Sequence, residues 1–256
     1  MGIHPTAVVS KKAEIGDNVN IGPYTVIDKN VKIGKDANIG PSVYITGNTV
    51  ISRGVYIGKG TVIGTPPQDR GYEGENSKVF VGEDTVIREY VTIHKATGEE
   101  NITYIGKNCY LMAYVHIAHN CKLEDGVTIA NYSALSGYVE IGERAFLSGY
   151  VGIHQFVKIG KLVMIEGFSK ISKDVPPYFL IAGNPPRIFN INIVGLKRAG
   201  LGRENILRIE QIFKLLYDKK NTLNFVKEKL RNEYEKYEEG KVFLEFFHKS
   251  TRGILR

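Results

Sequence analysis

Apolar residues recur along this chain at every sixth position. Beginning at Ile3 they fall at Val9, Ile15, Ile21, Ile27, Ile33, Ile39, Ile45, Ile51, Ile57 and Ile63. The same phase returns at Val81, Ile87 and Ile93, then runs unbroken from Ile105 to Ile171. Of the 29 positions in this phase between 3 and 171, 26 are apolar; only Asp69, Glu75 and Glu99 break it. Four residues after each phase position stands Ala, Val, Thr, Ser or Cys, except at Pro67 and Glu73. An α-helix repeats at 3.6 residues and a half-buried strand alternates at two, so neither explains a period of six.

A hexad of this kind is a short strand and a turn. The aliphatic residue fills an interior, the small one fits where the chain bends, and glycine in the next position, as at Gly16, Gly34, Gly106 and Gly142, relieves the turn. Three hexads close one triangular coil, and coils stack at the roughly 4.8 Å spacing of paired strands. The pattern predicts a parallel β-helix. Its interruptions, 65–77 and 98–103, keep the phase and are expected as loop excursions, which in solenoids tend to lie on the binding face.

Past Ile171 the prolines and glycines of 175–187 mark a boundary, drawn at 186/187. Residues 187–256 then read as a small α-helical domain. Ile206, Ile209, Ile212, Phe213 and Leu216 share one face; a second helix starts at Thr222 as N-cap and carries Leu223, Val226, Leu230 and Tyr234. Gly240 is expected to end it, with a third helix from Val242. Such a domain would cover the open strand edge at that end of the solenoid.

The chain of 256 residues is 43% hydrophobic and 24% charged, ordinary for a globular protein. It has no apolar run of membrane-spanning length and no basic start with an apolar stretch like a secretory signal. A cytoplasmic protein without stable membrane insertion is expected. Its net charge is +7, and residues 187–256 hold 16 Lys+Arg against 9 Asp+Glu, so the whole excess lies there. A basic piece on a neutral body points to an acidic partner, nucleic acid or an acidic carrier protein, though a solvated basic surface fits as well. Cys109 and Cys121 occupy the small inward slot and read as core.

Histidines are the candidate chemistry. His119 lies third in its hexad, away from the inward positions, and His154 second in a hexad 36 residues on. Two coils separate them, about 10 Å along the axis, which suits two ends of one groove. His116 and His119 form an HxxH pair, a spacing compatible with zinc as in some trimeric β-helix hydrolases. It spans a turn rather than a helix face, so it carries little specificity. Gln68, Asp69, Arg70 and Glu73 put polar groups in the first loop.

Several strings narrow this further: IGPY (21–24), PQD (67–69), REYVTIHKAT (88–97), HIAHNC (116–121), IHQF (153–156), DVPPY (174–178), NIVGLKRAG (192–200) and STRG (250–253). With these the chain resembles, over essentially its whole length, the UDP-N-acetylglucosamine O-acyltransferases of lipid A biosynthesis. The resemblance implies left-handed coils, against the usual right-handed crossover rule. It implies a homotrimer with sites between adjacent solenoids, an acyl-carrier-protein thioester as donor, UDP-N-acetylglucosamine as acceptor, and no metal, cofactor or nucleic acid. By motif, His119 is the general base and the Gly137 N–H helps hold the oxyanion. Asp69, His94, His116, His154, Gln155, Asn192 and Arg198 would line the substrate sites, and Gly167 would set acyl-chain length.

Four positions depart from the family pattern. Asn120 stands for an aspartate, Tyr138 for a histidine, Gly71 for a frequent lysine, and Val194 for a common acidic residue. A 3-amino acceptor, giving an amide, is an alternative. So are the N-acylating sister enzyme, which usually carries an extra N-terminal domain while the repeat here starts at Ile3, a zinc-dependent hydrolase of carbonic anhydrase type, and a non-catalytic scaffold.

Overall fold

The computed structural model describes residues 2–256. The hexads form a left-handed parallel β-helix with three faces: sheets of eleven, nine and eight strands, here the first, second and third. Successive coils pair in register, so Ile21 lies on Ile39 and Ile39 on Ile57, each below 3% exposed. The predicted small positions point inward beside them, among them Val19, Val31, Ala37, Cys109 and Cys121. Burial pushes the two thiols up, to about 11 at Cys109 and about 12 at Cys121, as expected of core residues rather than nucleophiles.

The glycines serve a different purpose from the one the period suggested. The left-handed backbone position falls three residues after the apolar one and is filled mostly by other residues, including Tyr114, Asn120, Tyr132 and Tyr138. Glycine directly after the apolar position has ordinary φ, except at Gly64 beside the first loop. A Cβ at Gly142 would instead stand 2.5 Å from the backbone nitrogen of Lys161 in the next coil. Close approach of coils, not the turn, requires it. Left-handed backbone costs a non-glycine residue roughly 1–2 kcal/mol. Along the corner between the first and second faces, the rings of Tyr90, Tyr114, Tyr132, Tyr150 and Phe168 stack at 4.9–5.2 Å. Each such pair contributes about 0.5–1.5 kcal/mol, enough to offset much of that strain.

Both interruptions leave one corner, between the second and third faces. The chain departs after Thr65 and returns at Lys78, then departs after His94 and returns at Ile102. Ile57 pairs with Ile87, thirty residues on, and Ile87 with Leu111, twenty-four on, against eighteen in a plain coil. The additions of twelve and six are whole hexads, which is why the phase survives. The loops are tied together: Gly98 N–H donates to Glu75 Oε1 at 3.2 Å, and Asn76 N–H to Glu99 Oε2 at 3.0 Å.

At the far end the first sheet crosses the 186/187 division. Strand Phe179–Ala182 turns back antiparallel into Arg187–Ile191 before any helix begins. Helices α1 (Ile193–Arg198), α2 (Arg203–Tyr217), α3 (Leu223–Lys229) and α4 (Glu238–Lys249) follow, with a π-helical turn, Leu230–Tyr234, continuing α3. Ile209, Ile212 and Leu216 form the buried face of α2, and the Thr222 hydroxyl caps α3 by accepting from Phe225 N–H. Gly240 does not end the second helix. It sits in the first turn of α4, where a Cβ would lie 2.1 Å from the Tyr234 carbonyl oxygen, so glycine there is a packing requirement. Tyr178 and Phe179, from the end of the solenoid, pack against Phe213, Tyr217 and Phe243 and close the strand edge.

Candidate active site

The corner that releases both loops also carries His119, its side chain 14% exposed. The strand His116–Ile117 delivers it into the turn, and Lys122–Leu123 resumes on the third face. Asn120 follows in the left-handed position, and its amide orientation is fixed by the backbone of Thr97 in the second loop. Thr97 N–H donates to Asn120 Oδ1 at 2.9 Å, and Asn120 Nδ2 donates to the Thr97 carbonyl at 3.0 Å. The oxygen end of that amide therefore faces His119 Nδ1, 2.9 Å away. An amide oxygen only accepts, so Nδ1 carries the proton, and in the neutral imidazole it is Nε2 that keeps the lone pair.

Nε2 opens toward two residues expected at the site. Asp69 Oδ2 lies 4.0 Å from it, brought by the first loop, in which Gly71 N–H donates to Asp69 Oδ1. Gly137, one coil along, is buried and comes so close that a Cβ there would stand 2.5 Å from Nε2. Its N–H has no backbone acceptor among the described residues. Tyr138 sets its ring edge-on to the imidazole, centroids 5.3 Å apart, and its hydroxyl lies 3.1 Å from Thr97 Oγ1. Thr97 thus joins Asn120, Tyr138 and the imidazole. Sequence reasoning missed it because it occupies an ordinary small inward slot. Only its place beside a loop set it apart.

His94 and His116 stack edge to face behind His119, centroids 5.1 Å apart. His116 Nδ1 is 2.7 Å from Thr92 Oγ1, while the buried Nδ1 of His94 has no hydrogen-bond partner. Among the described residues, no three His, Cys, Asp or Glu side chains converge as a metal-ligand set. Burial, with smaller contributions from His116 and His119, holds the His94 imidazole down to about 4 from 6.5; burial lowers His116 as well. The unfolded chain takes up this proton below pH 6.5, whereas the folded one does so only near 4. Stability is therefore complete above 6.5 and falls between 6.5 and 4, by about 3 kcal/mol from His94. Urea unfolding at pH 7.5 and 4.5 tests this: wild type should lose much more stability between them than His94→Gln.

The remaining expected residues lie elsewhere. His154 and Gln155 are exposed two coils from His119 on the same corner, and Arg252 Nη2 is 3.3 Å from His154 Nδ1. Gly167 stands on the corner between the first and second faces. Asn192 and Arg198 line a hollow of about 610 Å³ on the outside of the first face, walled by Phe146, Met164 and Leu180. Asn192 spends both side-chain ends inside the chain, donating to the Leu162 carbonyl at 2.9 Å and accepting from Gly195 N–H at 3.0 Å. It is the N-cap of α1; Val194 is exposed beside it. One chain therefore does not bring the two groups of residues together.

Residues 174–255 match the family model described as UDP N-acetylglucosamine O-acyltransferase, domain 2, and residues 102–137 the bacterial transferase hexapeptide model. The chain is 43% identical over 255 residues to the acyl-[acyl-carrier-protein]--UDP-N-acetylglucosamine O-acyltransferase of Thermodesulfovibrio yellowstonii, covering 99% of each. The Francisella novicida UDP-N-acetylglucosamine acyltransferase structure superposes with a TM-score of 0.97 at 37% identity, over 99% of this chain and 94% of that one. The Moraxella catarrhalis UDP-N-acetylglucosamine O-acyltransferase gives 0.97 at 34%, over 100% of both. At 43% identity over 99% of both chains, and with solenoid and helical end superposing together on the solved relatives, the chain belongs to the UDP-N-acetylglucosamine O-acyltransferase family.

Proposed function

We propose that this chain transfers a 3-hydroxyacyl group from acyl carrier protein to the 3-hydroxyl of UDP-N-acetylglucosamine, the first step of lipid A biosynthesis. The observation that carries the chemistry is His119, with Nδ1 held by Asn120 and Nε2 free beside Gly137. Nε2 takes the proton of the sugar 3-hydroxyl as that oxygen bonds to the thioester carbonyl carbon. The Gly137 N–H stabilises the oxyanion. Collapse of the tetrahedral intermediate breaks the C–S bond, and the departing thiolate takes the proton from the imidazolium. The ester and the free carrier thiol remain, so no atom or electron is unaccounted for.

Asp69, His94, His116, His154 and Gln155 surround this corner, on the acceptor and acyl sides. Gly167, Asn192 and Arg198 complete the site from an adjacent copy in a homotrimer, since within one chain they stand on another face. Gly167 leaves room for a long chain, roughly C12–C14 or longer. The basic helical domain steers the acidic carrier protein through Lys214, Lys219, Lys220 and Lys227.

Acyl transfer from 3-hydroxyacyl carrier proteins of graded length to UDP-N-acetylglucosamine tests the reading. A well-folded protein that transfers none of them would end it. Asn120 is the positioning residue. Asn120→Ala frees the imidazole to take the wrong tautomer and should lower kcat about 10- to 100-fold with KM little changed. An equal loss through KM alone would contradict that role.

A further inference from the structure

We infer that Arg252 forms a phosphate subsite for the donor, binding the phosphodiester of the carrier protein's prosthetic arm; the inference rests on the proposed function. Asp174, fully buried at the end of the solenoid, spends both carboxylate oxygens on the chain. Oδ1 accepts from Lys158 N–H at 2.8 Å; Oδ2 accepts from Ser250 Oγ at 2.7 Å and from the N–H groups of Thr251 and Arg252 at 3.0 Å. Four charge-assisted bonds to one buried group make the exposed C-terminal strap a fixed part of the corner.

The strap presents its arginine along the line of the base. Arg252 is exposed and touches His154, whose hexad lies two coils from that of His119. Arg252 has no ion-pair partner among the described residues. The nearby carboxylate of Glu140 is already taken by Lys158. Between the two ends runs a groove of about 400 Å³, lined by Asn120 next to the base, by Tyr138 and Phe156, and by Thr251 next to Arg252. The rings of Tyr138 and Phe156 stack along it at 4.8 Å. A thioester at His119 and a guanidinium beside His154, whose coil lies roughly 10 Å farther along the axis, fall within the span of one such arm. An arginine fork is suited to two phosphate oxygens at once.

The test uses small donors that differ only in the phosphate. Wild type should bind phosphopantetheine about tenfold or more tightly than pantetheine, the scale of one charge-assisted hydrogen bond. It should show the same preference in kcat/KM for their 3-hydroxyacyl thioesters. Arg252→Gln should abolish the preference and leave the KM for UDP-N-acetylglucosamine unchanged, while Arg252→Lys should keep part of it. The Arg252 backbone N–H to Asp174 survives both changes, so the fold is not at stake. A phosphate preference that persists in Arg252→Gln overturns the subsite. A rise confined to the nucleotide-sugar KM also overturns it, by giving the arginine to the acceptor's diphosphate. Because binding is read without turnover, a failure of transfer strikes the proposed reaction and leaves the subsite judged by its own measurement.

Discussion

Replacing His119 by alanine should lower kcat by about 10²–10⁴-fold while the protein stays folded and assembled. The two halves of that expectation rest on different observations. The side chain lies at a corner, outside the packed column of isoleucines and leucines, so its removal opens no cavity in the core. Its partners keep company without it: Asn120 still exchanges two hydrogen bonds with the Thr97 backbone. What disappears is the lone pair at Nε2 that would receive the hydroxyl proton. A sugar hydroxyl must then react without a base, while the amide of Gly137 and the bound geometry still provide residual catalysis. The loss should appear in kcat rather than in KM, since proton transfer belongs to the transition state. Steady-state kinetics beside a thermal melt and a sizing column decide it. A variant within a few-fold of wild type would remove His119 from the chemistry.

The architecture was legible because a six-residue period permits only one kind of object. Each apolar in-phase residue from Ile21 to Ile171 did become an interior position, and even the twelve- and six-residue insertions preserved the count. What the period could not show was the reason for individual glycines. Gly142 is required by a coil stacked upon it and Gly240 by the Tyr234 carbonyl. Both partners are distant in the chain or folded back from a neighbouring turn, and no local pattern encodes them. Helix α2 was readable from its apolar spacing, whereas α1, six residues capped by Asn192, is too short to display one.

The site was legible in a different way. His119 stood out by its place in the hexad, but its tautomer depends on Thr97, an inward-slot residue that a loop brings alongside. The aspartate-to-asparagine departure at position 120 loses a charge yet keeps the oxygen that selects the tautomer, a distinction visible only once the Thr97 backbone fixes the amide. Asn192 shows the converse. A residue expected to meet the nucleotide also caps the start of α1 and holds the Leu162 carbonyl, so changing it would disturb the fold and the site together.

Gly137→Ala is the sharper test of how the base is held, because it adds one carbon and removes nothing. The backbone at Gly137 is not in the left-handed region, so alanine is tolerated conformationally, and the amide that would face the oxyanion remains. The new Cβ, however, would stand 2.5 Å from His119 Nε2 and 2.6 Å from Cε1. The imidazole must swing away, and it can do so only by straining or breaking the bond from Nδ1 to Asn120. A displacement of about 1 Å at a reacting atom can cost on the order of 10²-fold, and we expect a loss of that size in kcat with little change in unfolding midpoint. Combining the substitution with His119→Ala separates the causes. If the methyl group acts by moving the imidazole, Gly137→Ala should cost almost nothing once the imidazole is gone, and the two effects should be far from additive. Additive losses would mean that Gly137 is needed for its own contact with the reacting group, and that the close approach to His119 is incidental.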